Sequence, residues 1–457
     1  MIFSSIEFLL WFLPIFLIVY GITPRKYRNL TLLVGSIVFY ARGDVRYLPL
    51  LMISILCNYF LGLHLAKRSP KTLWRKKLLL ILTLGANLAV LLWFKDWGGS
   101  AGLPLGISFY TFQILSYQID VYRGEVSREY SFLKFATYVI MFPKLISGPI
   151  TRYGDISDSL TERTFTVRGL EDGMKLFILG LAAKVLLADR VGILWHEVQV
   201  TGFESISTPL AWLAAIAYSM EIYFDFWGYS LMAMGLGRMM GIELPANFRR
   251  PYMARSVRDF YRRWHMTLGQ WFCRYVYIPL GGSRQGELRT IFNLLVVWML
   301  TGIWHGAGWN FLFWGLWFAF FLILEKLFLG DILESVPKVF GRIYTLAVVL
   351  ISWVFFALES PGEILAYLQA MFGMNGIGPV NSLAMFLCNE YLVLLVIALV
   401  ACLPLGSRLV HALKSSKTGP AMALYRLGEK VIPAVLLLLS VAYIVDASYN
   451  PFLYFRF

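Results

Sequence analysis

Long, nearly uncharged apolar runs dominate this chain. They lie at about 1–20, 29–41, 47–66, 78–95, 132–149, 171–188, 207–240, 290–304, 307–329, 341–357, 391–405 and 431–447. A bilayer crossing takes about 20 apolar residues, and some of these runs are shorter, so the pattern predicts roughly nine to twelve crossings. The spacing leaves no room for a separate soluble domain, and 1–457 reads as one integral-membrane domain with its motif-bearing core at about 100–330. Two segments read as broken rather than spanning. Leu103 to Asp120 carries Pro104, Gly106, Gln113 and Gln118 among aromatics, and Phe142 to Pro149 sets Lys144 between two prolines. Irregular backbone at membrane depth persists only when buried in protein or lining a wet cavity. Both segments therefore predict a thick, partly hydrated interior with re-entrant pieces.

Composition agrees with the pattern. The chain is 58% hydrophobic and 15% charged, against roughly 45–50% and about 25% in soluble domains. Its 41 Lys+Arg exceed 27 Asp+Glu, for a net charge of +14. On a polytopic protein such an excess reads as positive-inside loops rather than as nucleic-acid binding. The basic loops at 23–28 and 67–77 are separated by two crossings and share a face, which the positive-inside rule makes cytoplasmic. The arginine-rich 238–263 segment and the 408–430 loop then fall on that face as well. Met1 to Tyr20 has its positive charge after it, not before. That order predicts an uncleaved first span with the N-terminus outside, in a plasma membrane. Four scattered cysteines give neither a disulfide framework nor a zinc site.

Against this background the residues from Asn247 to Gly315 stand out. Arg249, Arg250, Arg255, Arg258, Arg262 and Arg263 run straight into aromatic sequence, followed by His265 and, at the end of an uncharged run, His305. An ionisable side chain is costly to insert into a bilayer, so His305 is a candidate functional residue. A neutral imidazole in a dry aromatic pocket can serve as a general base toward a hydroxyl. The alternative is a buried histidine bonded to a carbonyl. His265 stands at the end of a polar segment, where a solvated or headgroup-facing role competes with a functional one. Arg258, Arg262 and Arg263 could hold phosphates through bidentate guanidinium pairs, or serve only as a topogenic loop. Gly302 and Gly306 bracket Trp304 and His305 with a spacing that admits a close backbone neighbour. Glu221 and Asp225, four apart, share a helix face and predict pairing with a nearby arginine. With Trp304 and Asn310 they complete the pocket candidates. No serine-nucleophile elbow, phosphate-binding P-loop or HExxH zinc motif is present.

Six blocks, taken together, resemble the membrane-bound O-acyltransferase family. They are GISFYTFQILSYQIDVYRG (106–124), FPKLISGPITRY (142–153), EIYFDFWGYS (221–230), NFRRPYMARSVRDFYRRWHMTL (247–268), YVYIPLGGSR (275–284) and TGIWHGAGWNFLFWG (301–315). The similarity is greatest to the membrane subunits of bacterial alginate and peptidoglycan O-acetylation systems. It implies an all-α ring of transmembrane helices around a thin central site, with His305 as the catalytic histidine and His265 as the second characteristic one. Acetyl-CoA or another acyl thioester would be the cytoplasmic donor. The acceptor would be an extracytoplasmic polysaccharide, served by a secreted or anchored acyltransferase partner, with a polysaccharide synthase complex as a further partner. Cys273-Arg274, Trp227, Leu231 and Phe318 stand where the family's usual residues differ. A transporter or flippase, with His305, Glu221 and Asp225 on a proton or substrate path, is the rival from another class.

Overall fold

Backbone donors and acceptors in an apolar slab must be satisfied within the chain, and runs of this length do so as helices. The computed structural model describes residues 1–65, 73–97, 102–378, 381–416 and 419–446, and no strand occurs among them. Seven of the described segments are long and apolar enough to cross a membrane: Arg25–Leu65, Leu73–Lys95, Glu287–His305, Trp309–Ser335, Lys338–Ala357, Ser382–Cys402 and Gly419–Asp446. The first of these contains two helices, Arg28–Asp44 and Leu48–Leu65. Glu7–Ile22 is a shorter apolar helix. Lys67, Arg68 and Lys71 of the second basic loop lie outside the described residues, whereas Arg75, Lys76 and Lys77 begin the Leu73–Leu92 helix.

The chain divides into two compact units. One comprises Met1–Leu181 with Tyr229–Ala246, and the other Ala182–Gly228 with the chain from Asn247 onward. The 32-residue helix Thr208–Met239 contributes its first part to the second unit and its last part to the first.

The first unit is built on aromatic packing. Phe3, Phe8 and Phe39 are fully buried and gather around Phe142, with ring centroids 5.5–6.4 Å from it. Segment 103–120 is not broken along its length, as expected, but only at its start. Pro104 and Gly106 precede a continuous helix, Ile107–Arg123, in which Gln113 and Gln118 are fully buried. Gly106 takes φ +71°, and a Cβ there would lie 2.3 Å from the Leu145 carbonyl oxygen. Glycine alone fits both demands. One half of each buried glutamine amide has a partner, which offsets part of the cost of a polar group in an apolar interior. Gln118 Nε2 donates to the Asn58 carbonyl at 2.7 Å, and Gln113 Oε1 accepts from Lys144 Nζ. Around Lys144 the chain does break. A single turn, Phe142–Leu145, follows the Phe132–Ile140 helix and gives way to irregular backbone.

In the second unit the sequence around His305 forms a tight helical hairpin, Glu287–His305 against Trp309–Leu324. A Cβ on Gly302 would lie 2.5 Å from the Phe311 carbonyl oxygen, and one on Gly315 2.4 Å from that of Trp298. The small residues therefore do let the backbones meet, as their spacing predicts. The close approach fixes where His305, in the last turn, points.

Candidate active site

The loop that carries the arginines leaves helix Thr208–Met239 and returns to the bundle of the second unit as a closed excursion. Two backbone hydrogen bonds clamp its ends: Arg249 N–H to the Arg263 carbonyl and Met266 N–H to the Asn247 carbonyl, both 2.9 Å. Within it Ser256 Oγ caps the short helix Val257–Tyr261. The Glu325 carboxylate receives the Val257 and Arg258 N–H groups at 2.5 and 3.0 Å. A negative group at exposed helix N–H donors is the favourable arrangement, and it locks the strap onto the far end of the hairpin. Two non-glycine residues take positive φ among the described residues, Arg250 at 50° and His265 at 41°. Both lie on this excursion. Such backbone is costly and gathers at functional sites.

His265 begins helix Met266–Phe272 and is 3% exposed. Its Nδ1 lies 3.3 Å from Asn247 Oδ1. That oxygen also accepts from Thr267 Oγ1 at 2.7 Å and from the Thr267 N–H. A backbone N–H can only donate, so the facing Asn247 atom is an acceptor and Nδ1 of His265 carries its proton. Burial pushes the His265 imidazole down to about 3, so the ring is neutral across the working pH range. Phe226 meets it edge-on at 4.7 Å.

His305 is 4% exposed. Trp304, Trp314 and Phe356 stand edge-on to its ring at 4.8, 4.9 and 5.2 Å. Trp304 also reaches the His265 ring, at 6.1 Å. The bland expectation for His265, a solvated interfacial histidine, is therefore incorrect. Both imidazoles lie in an apolar interior and line one cavity of about 400 Å³. Arg258 and Arg262 line the same cavity, as do Tyr261, Trp298, Thr301 and Trp314. Phe318 is fully buried against Tyr261 at 4.8 Å and is not among the cavity-lining residues.

The other candidates sit elsewhere. Arg263 does not line this cavity; its Nε donates to Asp259 at 2.8 Å, one turn back. Trp304 and Asn310 are buried beside the hairpin turn and are not among the cavity-lining residues. Glu221 and Asp225 are absent from the lining too. For Asp225 the charged partner is a lysine where an arginine was expected. Lys184 Nζ lies 2.8 Å from Asp225 Oδ1 and 2.5 Å from Asp189 Oδ1, and the Lys184 and Asp225 side chains are almost fully enclosed. Sequence reasoning missed Lys184, although a lysine five residues before an aspartate inside the 171–188 apolar run is itself the signal. It also missed Tyr261, Trp298 and Thr301. They are ordinary wall residues by type, and only the hairpin geometry brings them to the cavity.

Chemically, the site offers a neutral imidazole with its tautomer fixed, a second imidazole in an aromatic cage, and two guanidiniums. Such a chamber can deprotonate a hydroxyl and hold an anionic reactant beside it. Comparison with known proteins gives the same answer from another direction. Residues 63–361 match the model of the MBOAT, membrane-bound O-acyltransferase family. The chain is 37% identical to a probable alginate O-acetylase, AlgI, of Pseudomonas putida, covering 100% of both chains. It is 34% identical to the peptidoglycan O-acetyltransferase of Helicobacter pylori, over 82% of this chain and 81% of that one. A teichoic acid D-alanyltransferase of Streptococcus thermophilus is 28% identical over 49% of this chain and 57% of its own. These matches decide for an acyltransferase over the transporter that the same residues left open. An all-α polytopic protein with two enclosed histidines on one chamber, this chain belongs to the membrane-bound O-acyltransferase family.

Proposed function

We propose that the protein takes an acyl group, acetyl, from a cytoplasmic thioester donor, acetyl-CoA, for O-acetylation of an extracytoplasmic polysaccharide. The observation that carries this reading is the shared chamber: His305 and His265 line it together with Arg258 and Arg262. In this reading His305 takes the proton of the accepting hydroxyl. The hydroxyl oxygen bonds to the thioester carbonyl carbon, the carbon–sulfur bond breaks, and the proton goes to the departing thiolate. Enclosure in aromatic rings keeps water from competing for the acyl group. His265, held neutral with Nδ1 turned to Asn247, orients the thioester without repelling the guanidiniums. Arg258 and Arg262 bind the phosphates of the donor, for which planar guanidinium forks are suited.

The relatives named as acting on alginate and peptidoglycan support a glycan acceptor. A secreted or anchored acyltransferase partner and a polysaccharide synthase complex complete the system. The setting is a bacterial plasma membrane with the N-terminus outside and the arginine strap in the cytoplasm, as the charge distribution favours.

Purified protein in nanodiscs, given labelled acetyl-CoA and a competent acceptor with its extracytoplasmic partner, tests the donor assignment. Arg262→Gln should raise the KM for acetyl-CoA about tenfold or more while changing kcat little, the pattern of lost uniform binding. Arg263→Gln, which lies off the chamber, should leave that KM near wild type. Equal effects of the two substitutions would remove Arg262 from the donor site.

A further inference from the structure

The excursion that carries His265 to the chamber builds a second cavity on its other side. About 540 Å³ in volume, it is lined by Arg250, Arg255, Arg263, Arg342 and Arg408, with Asp259 as its one carboxylate. Five guanidiniums facing a common space repel one another, and a single carboxylate does not balance them. That carboxylate is already engaged, by Arg263 Nε at 2.8 Å and by the Arg255 N–H at 3.3 Å. Arg342 Nε is buried without a hydrogen-bond partner among the described residues, and a buried donor left unmatched is costly. Arg250 is held in the left-handed region, at φ 50°, while its Nη2 donates to Ser407 Oγ at 2.5 Å. The chain thus accepts strain, repulsion and an unmatched donor at one place. A phosphate would relieve the last two together through charge-assisted bonds.

We propose that this cavity binds the phosphate of an anionic lipid headgroup. Its far wall favours that source over a soluble phosphate. Ser407 and Arg408 sit on helix Leu405–Ser415, in which no residue is buried. Leu405, Leu409 and Val410 are all exposed. The helix directly follows Ser382–Cys402, one of the segments able to cross the membrane. A short helix with an apolar stripe and a basic face, at the end of a span, lies along the headgroup layer. Lipid phosphates are found at that depth. The site does not depend on the donor reading. It shares only the strap with the histidine chamber.

The test uses the purified full chain in detergent with dioctanoyl phosphatidylglycerol, dioctanoyl phosphatidylcholine or adenosine 3′,5′-bisphosphate as probe. Binding is read as a thermal shift and by native mass spectrometry. Phosphatidylglycerol should bind and raise the melting temperature, and phosphatidylcholine should not. Arg342→Gln and Arg408→Gln should each weaken phosphatidylglycerol binding roughly tenfold or more, the loss of one charge-assisted bond. Arg46→Gln, a pair with Asp44 in the other unit, should bind as wild type. Should Arg342→Gln fail to fold, Arg408→Gln decides alone, since Arg408 is exposed. Unchanged binding in Arg408→Gln, or equal binding of the zwitterionic lipid, overturns the proposal. So does adenosine 3′,5′-bisphosphate displacing phosphatidylglycerol, which would assign the arginines to donor phosphates.

Discussion

Two histidines and one lysine show how far the local sequence around a side chain reveals its role, and where that stops. His305 and His265 are conspicuous because ionisable groups are rare where the neighbours are aromatic, and the fold does bring both to one chamber. The division of labour among the arginines was not legible. Arg262 and Arg263 are adjacent, yet the first lines the chamber and the second turns back to Asp259. That choice depends on a five-residue helix, Val257–Tyr261, and on its Ser256 and Glu325 caps. Lys184 carries the sharpest consequence. It stands between Asp189 and Asp225 with its side chain 2% exposed. Removing one member of a buried ion cluster strands the others, at a typical cost of about 3–5 kcal/mol. Lys184→Met should therefore lower the thermal midpoint of the purified protein severely. Adding Asp225→Asn should restore much of the loss, because it removes a stranded charge. A Lys184→Met protein as stable as wild type would contradict the account of that cluster.

Among the helices, the glycine spacing at 302–306 was the readable part. It predicts a close neighbour, and the Trp309–Leu324 helix is that neighbour. Which glutamines tolerate burial could not be read, because their partners come from distant turns. Asn58 lies 60 residues from Gln118, and Lys144 lies 31 from Gln113. For that reason segment 103–120 looked broken while its partnered glutamines sit in an intact helix. Gly302→Ala would press a methyl against the Phe311 carbonyl, 2.5 Å away. Overpacking of this kind costs about 1–3 kcal/mol. Gly85, on the Leu73–Leu92 helix, has nothing within 4 Å of an added Cβ. Gly85→Ala should be neutral or stabilising, as alanine propensity dictates. Thermal unfolding of the two variants side by side checks the hairpin; equal midpoints would refute the tight contact.

For the whole molecule, composition alone placed the chain in a membrane, and the charge distribution is the basis of the proposed orientation. An engineered cysteine at Arg255 should be shielded from an impermeant thiol reagent applied outside intact cells. The background needs Cys57, Cys273 and Cys388 replaced, since all three are exposed. Labelling of that cysteine would put the arginine strap on the outer face, and the proposed donor side with it. The central claim is that His305 is the base of an acyl transfer, and one measurement addresses it most directly. Wild-type and His305→Ala proteins, purified in nanodiscs with the extracytoplasmic partner and acceptor, are given acetyl-CoA, and thiol release is followed. Loss of a general base removes about 10²–10⁴-fold of rate. The account predicts a fall of that size in a variant that still inserts and purifies as a single species, whereas thiol release at the wild-type rate from His305→Ala would contradict it.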